Sequence, residues 1–135
     1  MIPTLRARSA SGAGAINDLQ RLTVSLRGGF EQQAHCQLFH FTGQLDAYSD
    51  KQFGDFVDAH RSASQPLVLD LTHIDFIDSS GLGALVHLAK QCNTDGQKFV
   101  VVGNARVVQT VKLVRLEEFL HLQPDLDTAL GSLAA

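Results

Sequence analysis

The sequence predicts a single α/β domain in which a mixed, mostly parallel β-sheet of about four to five strands packs with four helices. Strand-like apolar runs alternate along the chain with segments whose apolar residues recur at helical spacing. Two of these runs, Leu67 to Leu71 and Phe99 to Gly103, are nearly continuous, as in strands covered on both faces. Strands that alternate with helices imply right-handed crossovers and parallel pairing.

The length and composition set the domain boundaries. The 135 residues leave room for one domain, and a hydrophobic content of 44% is ordinary for a chain with a buried core. Residues 1–20 are rich in Ser, Ala and Gly without an apolar period, so we expect a flexible N-terminal arm ahead of a domain over residues 21–135. Cys36 and Cys92 are far apart in sequence and are predicted to be reduced, buried thiols.

Charge and hydropathy argue against two classes of partner. The formal net charge of -3 provides no positive field for nucleic acid, so no nucleic-acid binding is expected. Arg6 and Arg8 are not followed by a leucine-rich apolar stretch, and polar residues interrupt every apolar run before the roughly 20 residues that a membrane span requires. We therefore expect a soluble, cytoplasmic protein with no direct membrane insertion.

The first elements are expected to form a β-hairpin. Apolar and polar residues alternate from Leu22 to Leu26, which predicts a half-buried strand that ends at Gly28 and Gly29. The segment from Cys36 to Thr42 predicts a second strand closed by Gly43. The two strands are expected to pair in antiparallel fashion across a longish loop.

Helical spacing of apolar residues predicts four helices, around residues 53–60, 85–92, 107–114 and 126–133. The third is rich in β-branched valine, so tertiary packing rather than intrinsic propensity must hold it. A short strand is predicted around Phe119 to Leu122. Pro124 is then expected to open the last helix.

The segment Asp78-Ser79-Ser80-Gly81-Leu82-Gly83 conflicts with the helix that it begins. Each glycine in a first helical turn costs about 0.5–1 kcal/mol relative to alanine, which favours a functional need for exposed backbone amides. A phosphate on Ser79 would lie against those amides and the positive end of the helix dipole. An ordinary N-cap built from Asp-Ser-Ser is the alternative interpretation.

Phosphorylation of Ser79 is predicted to switch off the binding of another protein. A partner packed over this surface would have to desolvate about 1.5 to 2 added negative charges beside Asp78, which is costly. The helix terminus itself tolerates the dianion, so the fold is expected to survive the modification.

The segment from Phe76 to Leu85 resembles the signature of the anti-sigma factor antagonists, members of the sulphate transporter and anti-sigma factor antagonist (STAS) domain family. Gly43-Gln44-Leu45-Asp46 is similar to the family's Gly-x-Leu-Asp before its first helix, although many members have Glu at the position of Gln44. Leu67 to Leu71 resembles the family strand that ends in Asp-Leu or Asp-Met. The resemblance runs from Leu22 to about Leu130 and implies a STAS fold.

The same resemblance implies a partner-switching mechanism. In such proteins the first serine of the motif, here Ser79, is phosphorylated by a partner that is both a serine protein kinase and an anti-sigma factor. The unphosphorylated form captures that partner and frees a sigma factor, and a metal-dependent serine phosphatase resets the switch. The implied partner-binding residues are Asp46, Ser49, Asp78, Ser80, Gly81, Leu82 and Gly83. Helix capping is the alternative role for Asp46 and Ser49, and inward packing is the alternative for Leu82.

Other functions fit the sequence less well. Ser79 as a nucleophile would need the Gly-x-Ser-x-Gly elbow, but position 77 is Ile, so no catalytic residue and no enzyme activity is predicted. No phosphate-binding glycine motif is complete, and His35 and Cys36 point to opposite faces of a strand, so no cofactor or metal site is expected. An accessory STAS domain that regulates a transporter or lipid-transfer complex remains the alternative within the same fold.

Overall fold

A computed structural model describes residues 19–134, so most of the predicted arm at residues 1–20 lies outside the described residues. The helices and strands are β1 Gln20–Arg21, β2 Leu26–Gln32, β3 Gln37–Leu45, α1 Asp50–His60, β4 Leu67–Ile77, α2 Ser79–Thr94, β5 Phe99–Gly103, α3 Ala105–Leu113, β6 Leu122–Gln123 and α4 Leu126–Ala134.

All the described strands belong to one sheet with the spatial order β1-β2-β3-β4-β5-β6. The pairs β1–β2 and β2–β3 are antiparallel, whereas β3–β4, β4–β5 and β5–β6 are parallel. The predicted α/β class, the mixed sheet and the four helices are confirmed for residues 19–134. The sheet has six strands rather than four to five, because the two-residue strands β1 and β6 extend its edges.

Helices cover both faces of the sheet. Three helices, α1, α2 and α3, bury their apolar side chains against one face, in a core centred on residues such as Phe41, Leu69 and Leu85. The helix α4 covers the other face through Ala129, which packs with Val68 and Val102. Because β4 and β5 are covered on both sides, their sequences are nearly continuous apolar runs.

The glycines of the hairpin lie inside strands, whereas the sequence predicts that they end them. Gly28 and Gly29 lie inside β2 rather than at its end, because the ring of Phe41 lies across Gly28, where a Cβ would come within 2.8 Å of the Phe41 Cε1 atom. Gly43 does not close β3 either, because the strand continues to Leu45. The φ of Gly43 is 103°, and its backbone packs directly against the backbone of Ser25. The predicted strand from Leu22 to Leu26 is instead mostly a bend.

Two further predictions have mixed outcomes. Cys36 and Cys92 are buried free thiols, as predicted, and burial raises the pKa of both. The helix α3 ends at Leu113, so Val114 lies beyond it and is half exposed, which corrects its assignment to the helical apolar face.

No helix within residues 19–134 is both long enough and apolar enough to span a bilayer.

A buried polar cluster joins β3 to β4 on the face that α4 covers. His40 Nδ1 lies 2.8 Å from Asp70 Oδ2, and both side chains are buried. The hydroxyl and the amide of Thr72 donate to Asp70 Oδ1 at 2.7 and 3.0 Å, and Glu31 Oε1 lies 3.6 Å from His40 Nε2. Burial acts to raise the pKa of Asp70, but the bonds from His40 and Thr72 outweigh it and hold the pKa below its ordinary value of 3.8.

We predict that Asp70→Asn lowers the free energy of unfolding by about 1–3 kcal/mol at pH 7, because it removes charge-assisted hydrogen bonds from a buried site. The folded-state pKa is depressed, so the carboxylate stabilises the protein above its unfolded pKa of about 4 and loses this effect as the pH falls through the folded value. The gap between the two proteins should therefore narrow below about pH 4. Urea titrations at several pH values measure the difference in free energy of unfolding between the two proteins. A difference that does not change with pH would contradict the stabilising role of the Asp70 carboxylate.

Candidate functional site

The first turn of α2 follows directly from the end of β4. Asp78 has an extended backbone, with φ of -116°, and its side chain accepts a hydrogen bond from the amide of Gly81 at 3.0 Å. The amide of Leu82 donates to the Asp78 carbonyl at 2.9 Å. Asp78 is therefore the N-cap, which leaves Ser79 as the first residue of the helix with no capping role.

Ser79 presents its side chain to solvent at this helix end. Within residues 19–134 its hydroxyl forms no hydrogen bond, whereas Ser80 is half-buried and lies one position further into the turn. The position of the Ser79 hydroxyl therefore meets the geometric condition for a modified side chain: it can be reached from water without opening the fold.

The two glycines of the motif have different roles. Gly81 is buried, and a Cβ there would lie 2.2 Å from the carbonyl oxygen of Leu45, so close packing against the end of β3 requires glycine. The Gly81 amide is already bonded to Asp78, which corrects the expectation that it is uncovered. Gly83 is exposed, and a Cβ there would meet no atom within 4 Å. Only Gly83 lacks a packing explanation.

The loop between β3 and α1 lies beside this turn. Leu45 pairs with Ile77 in the sheet, and the amide of Asp78 lies 3.4 Å from the Leu45 carbonyl oxygen to which it donates. Asp46 Oδ1 accepts from the amide of Tyr48 at 3.0 Å, which holds the loop in a turn. The proximity of the Asp46 loop to the motif therefore follows from the register of β3 and β4.

Ser49 supports this loop from the inside. Its hydroxyl donates to the Gln44 carbonyl at 2.8 Å and accepts from the Asp46 amide at 3.1 Å. Its side chain is fully buried, so it is not itself exposed at the surface to which the prediction assigns it, and it makes no side-chain capping bond to α1 either. Asp46 is 8% exposed and also acts mainly on the loop.

Leu82 and Gly81 are corrected in the same way. Leu82 is 8% exposed and belongs to the core under α2, so it packs inward and offers no apolar contact to a partner. Gly81 lies beneath the surface for the reason given above. The sequence analysis does not single out Tyr48, which is 87% exposed in the loop beside the motif. The sequence signal that could have identified this residue is a lone tyrosine in a polar loop.

The exposed side of this region is small and well defined. We name it the junction surface, and its members are Tyr48, Asp78, Ser79, Ser80 and Gly83, all exposed or half-buried. Within the part of the chain that the structure describes, no cluster of His, Cys, Asp and Glu side chains is arranged to hold a metal ion. What the junction surface offers is an exposed hydroxyl, an exposed helix end and an aromatic ring.

The fold and this junction define the class of protein. The family model for the STAS domain matches residues 30–129, which is most of the chain, so the chain belongs to the STAS domain family. The family resemblance carried by the motif is thus confirmed.

Particular relatives are similar at modest identity. The anti-sigma-F factor antagonist RsfA of Mycobacterium tuberculosis is 24% identical over 112 residues, which span 80% of this chain and 88% of RsfA. The crystal structure of an anti-sigma factor antagonist from Mycobacterium paratuberculosis has a TM-score of 0.72 at 24% identity and covers 82% of this chain and 96% of that one. The murine anion transporter Slc26a9 has a TM-score of 0.67 at 20% identity, covering 77% of this chain and 18% of the transporter.

We predict opposite effects of alanine at the two motif glycines. Gly81→Ala should lower the free energy of unfolding by about 1–3 kcal/mol, because its Cβ would overlap the Leu45 carbonyl. Gly83→Ala should raise it by about 0.5–1 kcal/mol, because a helix position with open space gains from alanine. Urea denaturation of both variants measures this. Equal stability of Gly81→Ala and the unaltered protein would contradict the close approach.

Proposed function

We propose that this chain is an anti-sigma factor antagonist whose binding is switched off by phosphorylation of Ser79. The observation that carries the proposal is the exposed Ser79 hydroxyl, free of hydrogen bonds to the described residues, at the first position of α2. The relatives with that role support the general function. In this proposal the chain catalyses no reaction itself and acts in the cytoplasm.

The local structure supports a switch that changes the surface and leaves the fold intact. Asp78 caps Gly81 and the Gly81 backbone packs on β3, so neither contact uses the Ser79 side chain. A phosphate at Ser79 would lie at the positive end of the helix dipole, an interaction worth about 0.3–1 kcal/mol. It would also lie next to the Asp78 carboxylate, which opposes part of that gain.

The effect on a partner would be larger. A protein that covers the junction surface must remove water from whatever Ser79 carries, and a dianion without a matched cation is costly to desolvate. By the family resemblance, the partner of the unphosphorylated form would be an anti-sigma factor that is also the serine protein kinase acting on Ser79. A metal-dependent serine phosphatase would restore the binding form.

The proposed binding residues fall into two groups. Direct contacts come from the junction surface, including Asp78, Ser80 and Gly83 of the predicted set. The buried members of that set, Asp46, Ser49, Gly81 and Leu82, position the surface from below.

An accessory role in a transporter or lipid-transfer complex shares this fold, and the likeness to Slc26a9 shows the fold alone. The retained pair Ser79-Ser80 favours the anti-sigma role over it. Copurification of a transport ATPase, in place of a kinase-like protein, would favour the accessory role.

We predict that Ser79→Asp weakens binding to the purified anti-sigma factor by at least about tenfold, because it places a charge under the interface. Ser79→Ala should keep binding and lose phosphorylation. Ser80→Ala is the matched control and should still be phosphorylated by the anti-sigma factor with Mg-ATP. Calorimetry and peptide mass spectrometry measure these outcomes. Tight binding by Ser79→Asp, or equal phosphate on both serines, would refute the assignment.

Tyr48→Ala should weaken the same complex while leaving stability nearly unchanged. The Tyr48 ring is 87% exposed, so the fold gains little from it, whereas exposed aromatic rings are frequent anchors of protein interfaces. The comparison variant is Phe119→Ala, which removes a half-exposed ring outside the junction surface. If the two variants bind the anti-sigma factor equally well, Tyr48 has no part in the interface.

A further inference from the structure

A groove of about 450 Å³ lies between α1 and α2 and begins beside Ser80. The buried side chains of Phe53 and Leu88 line its base, and most of the remaining lining is polar or glycine. The volume falls within the roughly 300–1,000 Å³ of small-ligand pockets, which is room for a few side chains and not for a whole helix.

Each helix contributes a glycine to the groove. Gly54 of α1 and Gly83 of α2 both line it, and a Cβ at either position would meet no atom within 4 Å. Glycine inside a helix costs stability relative to alanine. Since nothing in the described fold requires glycine at these two positions, the open volume is maintained at a cost in helix stability.

The charge of the groove is negative and largely uncompensated. Asp50, Gly54 and Asp58 recur at every fourth residue, which places them on one face of α1. Lys51 is paired with Asp55 at 2.7 Å. Asp50 and Asp58 form no ion pair within residues 19–134, and His87 is the one ionisable side chain that α2 contributes to the lining.

We propose that this groove binds an arginine or lysine side chain of the partner protein, with Asp50 and Asp58 as the opposing charges. The proposal rests on the proposed function, in which that partner is the anti-sigma factor. Two carboxylates about 12 Å apart along α1 attract a cation along the whole groove, and the apolar base accommodates the aliphatic part of its side chain. The absence of Cβ atoms at Gly54 and Gly83 lets the partner approach the backbone.

The groove adjoins the switch but does not contain it, since Ser80 and Gly83 belong to both the groove and the junction surface. Ser79 does not line the groove, so phosphate at Ser79 leaves the groove's shape and its two aspartates in place. The charge of the groove would therefore act on the encounter of both forms with the partner, while the state of Ser79 decides whether the close complex forms.

The first test uses peptides and requires no knowledge of the partner. Acetyl-Ala-Arg-Ala-amide is titrated into the isotopically labelled protein, with acetyl-Ala-Glu-Ala-amide as the matched control. The arginine peptide should shift the amide resonances of Gly54 and Gly83, and Asp50→Asn/Asp58→Asn should abolish the shifts. Equal shifts with the glutamate peptide, or none with the arginine peptide, would overturn the proposal.

The second test measures binding of the purified anti-sigma factor. Asp50→Asn/Asp58→Asn should weaken binding about tenfold at low salt and make it less sensitive to salt. The control Glu118→Gln/Asp127→Asn removes two exposed charges outside the groove and should leave binding unchanged. An equal salt dependence of the groove variant and the unaltered protein would overturn the proposal.

The glycines give an independent readout. Gly54→Ala should raise the urea midpoint of unfolding and weaken binding, because it stabilises α1 and narrows the groove without altering the junction surface. Gly131→Ala in α4 is the control, since it also has open space and should raise the midpoint without changing binding. Unchanged binding by Gly54→Ala would overturn the proposal. If the unaltered chain binds no anti-sigma factor, the proposed function fails, and the peptide titration still decides the groove.

Discussion

The close approach of the α2 backbone to the end of β3 is the constraint on which the junction depends. A side chain at position 81 would overlap the Leu45 carbonyl oxygen, and the amide of Asp78 donates to that same oxygen. Together with the Asp78 cap on Gly81, these contacts fix the first helical turn from below. They leave the outer side of the turn, where Ser79 lies, free of any structural duty. Modification and contact with a partner can therefore act there without disturbing the core.

Local patterns predicted most of the architecture because they are set by periodicity along the chain. The continuous apolar run of β5 and the helical spacing at Phe53, Phe56 and Val57 each specify an element from a few neighbouring residues. The hairpin was harder, because glycine usually ends a strand, whereas Gly28 remains inside β2 to make room for the Phe41 ring. That reason lies in a partner strand and is invisible in the local sequence.

The junction also contains features that the local sequence does not reveal. Gly81 and Gly83 are equivalent in a sequence motif, yet one packs against Leu45 and the other faces open space. The resemblance implies partner-binding roles for Ser49 and Leu82, with helix capping and inward packing as the respective alternatives, and tertiary packing buries both side chains. The exposed serine, by contrast, could be located from sequence, because the strand end and the helix start on either side of it confine it to the first turn.

In the proposed switch, a rigid support lies beneath a surface that would carry the signal. Buried residues under the first turn of α2 and the β3–α1 loop hold the geometry, and the two forms would differ at the surface only in the charge on Ser79. The neighbouring groove adds a second, electrostatic contact that does not depend on Ser79. Such a division allows affinity to change by a large factor while stability changes little, which suits a reversible switch.

Comparison of the phosphorylated and unphosphorylated forms by amide hydrogen exchange, alongside their affinity for the anti-sigma factor, tests the central claim most directly. On phosphorylation, the opening free energies of the α2 and β4 amides should change by no more than about 1 kcal/mol, while affinity for the anti-sigma factor is lost. The change is small because the interactions of the phosphate with the helix dipole and with the Asp78 carboxylate are each small. Loss of protection through the first turns of α2 on phosphorylation would contradict it, since the switch would then act by unfolding the junction.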